Sequence, residues 1–117
     1  MSDDERLINA LRALRQDYLS EAPTRVAELR AELQRLESGD MDGLRNLERL
    51  LHRLAGSGGS YGLPVVTERA RAGEQDARAM LASGSAPSSA EVERLRAHVE
   101  AVSQAFAEAR TDDSVFS

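Results

Sequence analysis

The sequence predicts an all-α protein: an antiparallel up-down-up-down four-helix bundle with an additional, shorter helix at the N-terminus. Apolar residues recur at intervals of three and four in five stretches of the 117-residue chain, the spacing of helices that each bury one face. No stretch alternates with the period of two that a half-buried strand requires. The apolar residues are mainly Leu, Val and Ala, with 3% aromatics and no Trp. The segments between helical stretches are short, which makes successive helices antiparallel neighbours. The length fits one domain, as domains span roughly 100–200 residues. Residues 1–117 therefore read as a single helical-bundle domain without internal repeats, with 111–117 a frayed, aperiodic tail.

Each element has its own signals. Ser2 stands three residues before Glu5, a capping-box spacing, and Leu7, Leu11, Leu14 and Tyr18 follow at helical intervals. Pro23 suits a first helical turn, so a second helix starts near Ser20–Ala22 with the stripe Ala22, Val26, Leu29, Leu33 and Leu36. Gly39 can take a left-handed cap conformation, and Asp40 can cap the next helix. That third helix carries Leu44, Leu47, Leu50, Leu51 and Leu54, then runs into Gly56-Ser-Gly-Gly-Ser-Tyr-Gly62. Pro64 opens the fourth, with Leu63, Val66, Ala70, Ala77 and Leu81 on one side. A turn-rich linker over residues 83–89 leads to a second capping box, Ser88 with Glu91. The fifth has the stripe Val92, Leu95, Val99, Val102, Phe106 and Ala109.

Composition removes several functions. There is no cysteine, so disulfides, thiolate metal sites and thiol catalysis are out. The net charge of −5 argues against non-specific nucleic-acid binding, which needs a cationic surface. No apolar run approaches the roughly 20 residues that cross a bilayer, and the acidic start, Met1 to Glu5, is not followed by a signal-like apolar run. A cytoplasmic location is expected. All fifteen basic residues are arginine.

His52 is the most informative residue. At about 100° per residue, the leucines of the third helix centre about 130° away from it, so His52 points out of the core. Its own face carries Arg45, Glu48, Arg49, Ala55, Gly56 and Gly59. Gly56, Gly58 and Gly59 fall within one turn, and each costs a helix roughly 1 kcal/mol relative to alanine. A local rule broken without structural gain marks a place for function. The gain expected here is clearance: Ala55, Gly56 and Gly59 leave the imidazole open to a bulky partner. The alternative is a helix that ends at Gly56.

The run His52-Arg-Leu-Ala-Gly-Ser-Gly-Gly-Ser-Tyr-Gly62 resembles the signature of histidine-containing phosphotransfer (HPt) domains of bacterial two-component phosphorelays. That pattern is a histidine, lysine and glycine three and four residues later, small residues, an apolar or aromatic residue, and glycine. The flanking helices, Pro23 to Leu36 and Leu63 to Leu81, fall where such domains place them. The resemblance implies a phosphocarrier in which His52 accepts a phosphoryl group from one receiver-domain aspartate and passes it to another. It implies receiver domains of response regulators or a hybrid histidine kinase as partners, no cofactor on the chain itself, and Mg²⁺ on the partner receiver. It implies no autonomous kinase or hydrolase activity, and a monomer. Glu74, twenty-two residues after His52, falls where the family places the residue that orients the imidazole, with Gln75 the alternate if the register slips by one.

The sequence departs from the family at Ala55, where the lysine is expected. Arginine can compensate phosphate charge with its planar, longer side chain. The candidates are Arg49, one turn before His52; Arg53, beside it; and Arg78 on the fourth helix, where some family members carry a basic residue. The missing lysine keeps a rival reading alive: a helical adaptor or anti-regulator that binds a receiver or kinase through the same face without being phosphorylated. Other signals fall away. The glycine run follows a helix and lacks Gly-Lys-Ser/Thr, so it is not a P-loop. His52 and His98 without a carboxylate cluster make no metal site. The serines have no base partner for a hydrolase triad, and His98 borders the last stripe as a structural residue.

Overall fold

A computed structural model of the chain describes residues 2–111. The tail expected to fray lies, beyond Thr111, outside the described residues. Five helices follow one another: α1 (Asp3–Ser20), α2 (Ala22–Glu37), α3 (Asp42–Ser60), α4 (Pro64–Ser83) and α5 (Ser89–Thr111). There is no strand among the described residues. Among the described residues, no helix is long and apolar enough to cross a membrane.

The starts and stops follow the local chemistry. The Ser2 side chain accepts a hydrogen bond from the Glu5 amide at 3.1 Å, satisfying one of the free donors of a helix N-terminus. Ser88 and Glu91 close a reciprocal capping box: the Ser88 amide donates to the Glu91 carboxylate at 3.0 Å, and the Glu91 amide to Ser88 Oγ at 3.2 Å. Pro23 and Pro64 sit in the first turns of α2 and α4. Gly39 takes φ +93° between α2 and α3, a left-handed conformation that costs a side-chain-bearing residue energy. Asp40 acts two residues before α3, accepting from the Asp42 amide at 3.0 Å. The residue next to the helix is Met41, which makes no side-chain cap.

α2, α3, α4 and α5 close a ring in which α2 packs on α3, α3 on α4, α4 on α5 and α5 back on α2. The centre is filled by Leu29, Leu44, Leu47, Leu51, Val66, Leu95, Val99, Val102 and Phe106, all fully buried. Met80 joins the core from α4, while the expected Leu81 is half-buried.

Two expectations about α1 are corrected. It is not a short helix: its 18 residues exceed the 16 of α2, because the Ser2 cap starts it early and it runs on to Ser20. Its apolar stripe is not core either. Leu7, Leu11 and Leu14 are 59%, 46% and 52% exposed, and of the stripe only Tyr18 is buried. α1 is held at its C-terminal end, where Arg15 donates to the Ala109 carbonyl at 3.3 Å and Tyr18 stacks on Tyr61 with ring centroids 4.4 Å apart. The Tyr18 hydroxyl shares a 2.5 Å hydrogen bond with Ser57 of α3. The molecule is correspondingly long, 58 × 21 × 18 Å.

Candidate functional site

α3 is one unbroken helix through all three glycines to Ser60, so the alternative of a helix that ends at Gly56 falls. Helical continuity keeps His52, Gly56 and Gly59 stacked along one edge of the helix. Leu51 and Leu54 on either side of His52 are buried, which anchors the helix and leaves the imidazole 66% exposed.

The glycines differ in what they do. An added Cβ at Gly56 would meet nothing within 4 Å, and one at Gly59 only Thr67 Oγ1 at 3.7 Å. No neighbour within the fold demands glycine at either position. At Gly58 a Cβ would lie 2.6 Å from Thr67 Oγ1 and 3.2 Å from the Thr67 amide nitrogen. At Gly58, therefore, α4 lies close against α3, and the reason for glycine there is packing. The expected role of Ala55 in clearance is corrected: it is 4% exposed, turned into the α3–α4 seam, and its carbonyl accepts from Thr67 Oγ1 at 3.0 Å. A residue three positions after an outward histidine lies about 60° toward the core, and the close approach of α4 covers it.

That close approach brings Glu74 to the imidazole. Its carboxylate Oε1 lies 2.9 Å from His52 Nδ1. Glu74 is 6% exposed, and a buried carboxylate needs partners to offset desolvation. It has two: His52 Nδ1 and Arg78 Nη2, the latter at 2.6 Å. A carboxylate accepting at Nδ1 selects the Nδ1–H tautomer, which leaves the Nε2 lone pair free. Gln75, the alternate orienting residue, does not reach the histidine. It is exposed and lines a groove with Gly59, Thr67 and Arg71. A one-residue step of 100° carries it past the seam.

The three candidate arginines divide into two kinds. Arg78 is engaged: its Nη2 also lies 2.9 Å from the Glu48 carboxylate. Its guanidinium is held above the usual arginine range, first by the hydrogen bond to Glu48 and then by the charge of Glu74. Arg49 and Arg53 are exposed beside a groove with Glu28, Asn46 and Leu50 and make no hydrogen bond or ion pair with any described residue. By contrast Arg30, Arg35 and Arg96 on other helices, and Arg45 two turns before the histidine, all pair with carboxylates.

Sequence reasoning missed Glu48 as a member of the site, and Thr67 as the residue that closes the seam. A signal existed for the first: Glu48 and His52 stand four apart on α3, and Glu74 and Arg78 four apart on α4, so both pairs share a helix face. The second histidine is separate, with His98 Nε2 at 2.6 Å from Asp76 between α4 and α5.

Searches of curated proteins and of solved structures returned no match. The model of the Hpt domain matches residues 13–105, from the middle of α1 to near the end of α5, with His52, Glu74 and Arg78 inside it. An exposed histidine on a helical bundle, within a match that covers most of the chain, settles the family: the chain belongs to the Hpt domain proteins, whose business is histidine phosphotransfer in phosphorelays.

Proposed function

We propose that the protein is a phosphocarrier that relays a phosphoryl group between receiver-domain aspartates through phospho-His52. The observation that carries this is the imidazole itself, two-thirds exposed with Nδ1 held by a buried carboxylate and Nε2 left open. Nε2 attacks the phosphorus of an aspartyl phosphate in line, the P–O bond to the aspartate breaks, and the carboxylate leaves with its electron pair. The imidazole keeps its Nδ1 proton, so the product ring is cationic and Glu74 stabilises it. Transfer of this kind is governed by positioning and charge neutralisation. Arg49, Arg53 and Arg78 supply cations around the phosphoryl oxygens in place of the lysine absent at Ala55. Gly56 and Gly59 admit the partner. Mg²⁺ belongs to the receiver, and the carrier itself needs no cofactor.

The scaffold for this reading is an antiparallel up-down-up-down bundle of α2–α5, with α1 added at one end. Partners across two of the seams run in opposite directions: Arg30 with Glu100 and Glu37 with Arg96 between α2 and α5, Glu48 with Arg78 and Ala55 with Thr67 between α3 and α4. The carrier works as a monomer in the cytoplasm, where it meets receivers briefly.

The test is to incubate the protein with a panel of phosphorylated receivers and follow acid-labile label. Label on wild type that is lost in His52→Gln is the expected result. Measurable binding with no label from any receiver would instead establish the adaptor reading.

A further inference from the structure

Glu48 has no role in the chemistry described so far, yet it completes a chain of four charged or polar side chains. Its carboxylate, one-fifth exposed, accepts from Arg78 Nη2 at 2.9 Å. The same nitrogen lies 2.6 Å from Glu74 Oε1, and that same oxygen lies 2.9 Å from His52 Nδ1. One guanidinium nitrogen is thus shared by two carboxylates, one of them the histidine's own partner. The guanidinium is 62% exposed, and ion pairs so open to water are weak and exchange easily. Its position is therefore a resting place from which it can move.

We propose that Glu48 is a positioning residue that parks Arg78 along the α3–α4 seam while His52 is unmodified and competes with the phosphoryl group for it afterwards. This rests on the phospho-His52 reading. A phosphoryl group on Nε2 presents about two negative charges and three acceptor oxygens, which the planar guanidinium fork matches better than a single carboxylate oxygen. Arg78 leaves Glu48 to make that contact. Making that contact breaks the Glu48–Arg78 ion pair, so Glu48 opposes it. The cost falls on the phosphorylated state alone, because in the resting state both carboxylates are satisfied. Glu48 in this way shortens the life of phospho-His52 and favours passing the group on, as a carrier requires.

The experiment labels the full chain with phosphoramidate, a small phosphodonor that needs no identified receiver, and follows loss of the label from His52. Glu48→Gln keeps the shape and removes the charge. The expected result is a phosphohistidine lifetime lengthened about three- to fivefold, the upper part of the range for releasing Arg78 from one exposed ion pair. The thermal midpoint should stay put, because the Glu48–Arg78 pair is exposed. In an Arg78→Ala background the same substitution should change the lifetime less than twofold. An equal effect in both backgrounds shows that Glu48 acts without Arg78 and overturns the proposal. So does an unchanged lifetime in Glu48→Gln while the wild type takes label. No label on wild-type His52 overturns the carrier reading and the parking role together.

Discussion

Gly56 and Gly58 stand two residues apart on one helix, and replacing each by alanine should move stability in opposite directions. A glycine inside a helix gives up roughly 1 kcal/mol relative to alanine. At Gly56 the new methyl meets nothing within 4 Å, so Gly56→Ala recovers most of that, about 0.5–1 kcal/mol. For a domain of this size the gain raises the thermal midpoint by about 2–6 °C. At Gly58 the same propensity gain applies, but the methyl would sit 2.6 Å from Thr67 Oγ1, 3.2 Å from its amide nitrogen and 3.4 Å from the Leu63 carbonyl oxygen. Rotating Thr67 out of the way breaks its hydrogen bond to the Ala55 carbonyl, worth about 1 kcal/mol. The backbone contacts yield only if α4 shifts, and overpacking of this kind costs about 1–3 kcal/mol. Gly58→Ala should therefore be destabilised by a net of about 1–3 kcal/mol. Urea titrations followed by circular dichroism read both numbers. Two substitutions of the same sign would refute the division of labour between the glycines, and a stabilised Gly58→Ala would refute the close α3–α4 approach. The functional half of the argument is read with Gly56→Gln, whose side chain crowds the His52 edge. It should slow phosphoryl transfer from receivers while leaving the fold intact, and an unchanged rate would remove clearance as the reason for Gly56.

Two further outcomes follow from the anchoring of the helices. Tyr18→Phe and Ser57→Ala should each cost about 0.5–1.5 kcal/mol, and the double variant little more than either, since both remove one hydrogen bond between α1 and α3; additive losses in a double-mutant cycle would show that the two hydroxyls act separately. At the start of α5, the Ser88 amide and hydroxyl hold the Glu91 carboxyl below its ordinary value of 4.5. A group depressed in the folded state contributes stability that is complete above the unfolded value and lost as pH falls through the folded one. The stability advantage of wild type over Glu91→Gln should accordingly be present at neutral pH and shrink on acidification below about pH 4.5, and an advantage independent of pH would assign it to geometry alone.

Much of this was legible in the residues, and what was not has physical causes. Helix positions follow from periodicity and caps, and Ser88–Glu91 was readable outright because a capping box is local. Periodicity does not say what covers a stripe. Leu7, Leu11 and Leu14 have the spacing of buried leucines, but α1 reaches the bundle only with its last turns, so they face solvent. Ala55 misled for a related reason. Angular arithmetic on one helix places it near His52, whereas its burial depends on how close α4 comes, and that distance is written in Gly58 and Thr67 together. Between Glu74 and Gln75 the sequence offered a choice of register that only the packing of two helices decides. The spacing of Glu48 puts it on the His52 face, but its contact runs through the long side chain of Arg78, whose rotamer is not a property of sequence spacing.

The seam that makes the bundle compact is also the one that makes the histidine useful. Along α3 and α4, Ala55, Gly58, Ala70, Gly73 and Ala77 are all buried and all small. A Cβ at Gly73 would come within 3.1 Å of Leu51 Cδ1 and of His98 Cβ, so this part of α4 too is packed to its limit. Small residues draw helix axes together, and a short distance lets the compact carboxylate of Glu74 reach Nδ1 without leaving the seam. The same side chain on a more distant helix would have to extend into solvent, where its hold on the imidazole would be weak and screened. Held in the seam, it is shielded, and its position is set by neighbours that cannot move without disturbing the core. The precision of the site is thus inherited from packing: of the glycines that weaken α3 as an isolated helix, Gly58 is the one that lets α4 pack close against it.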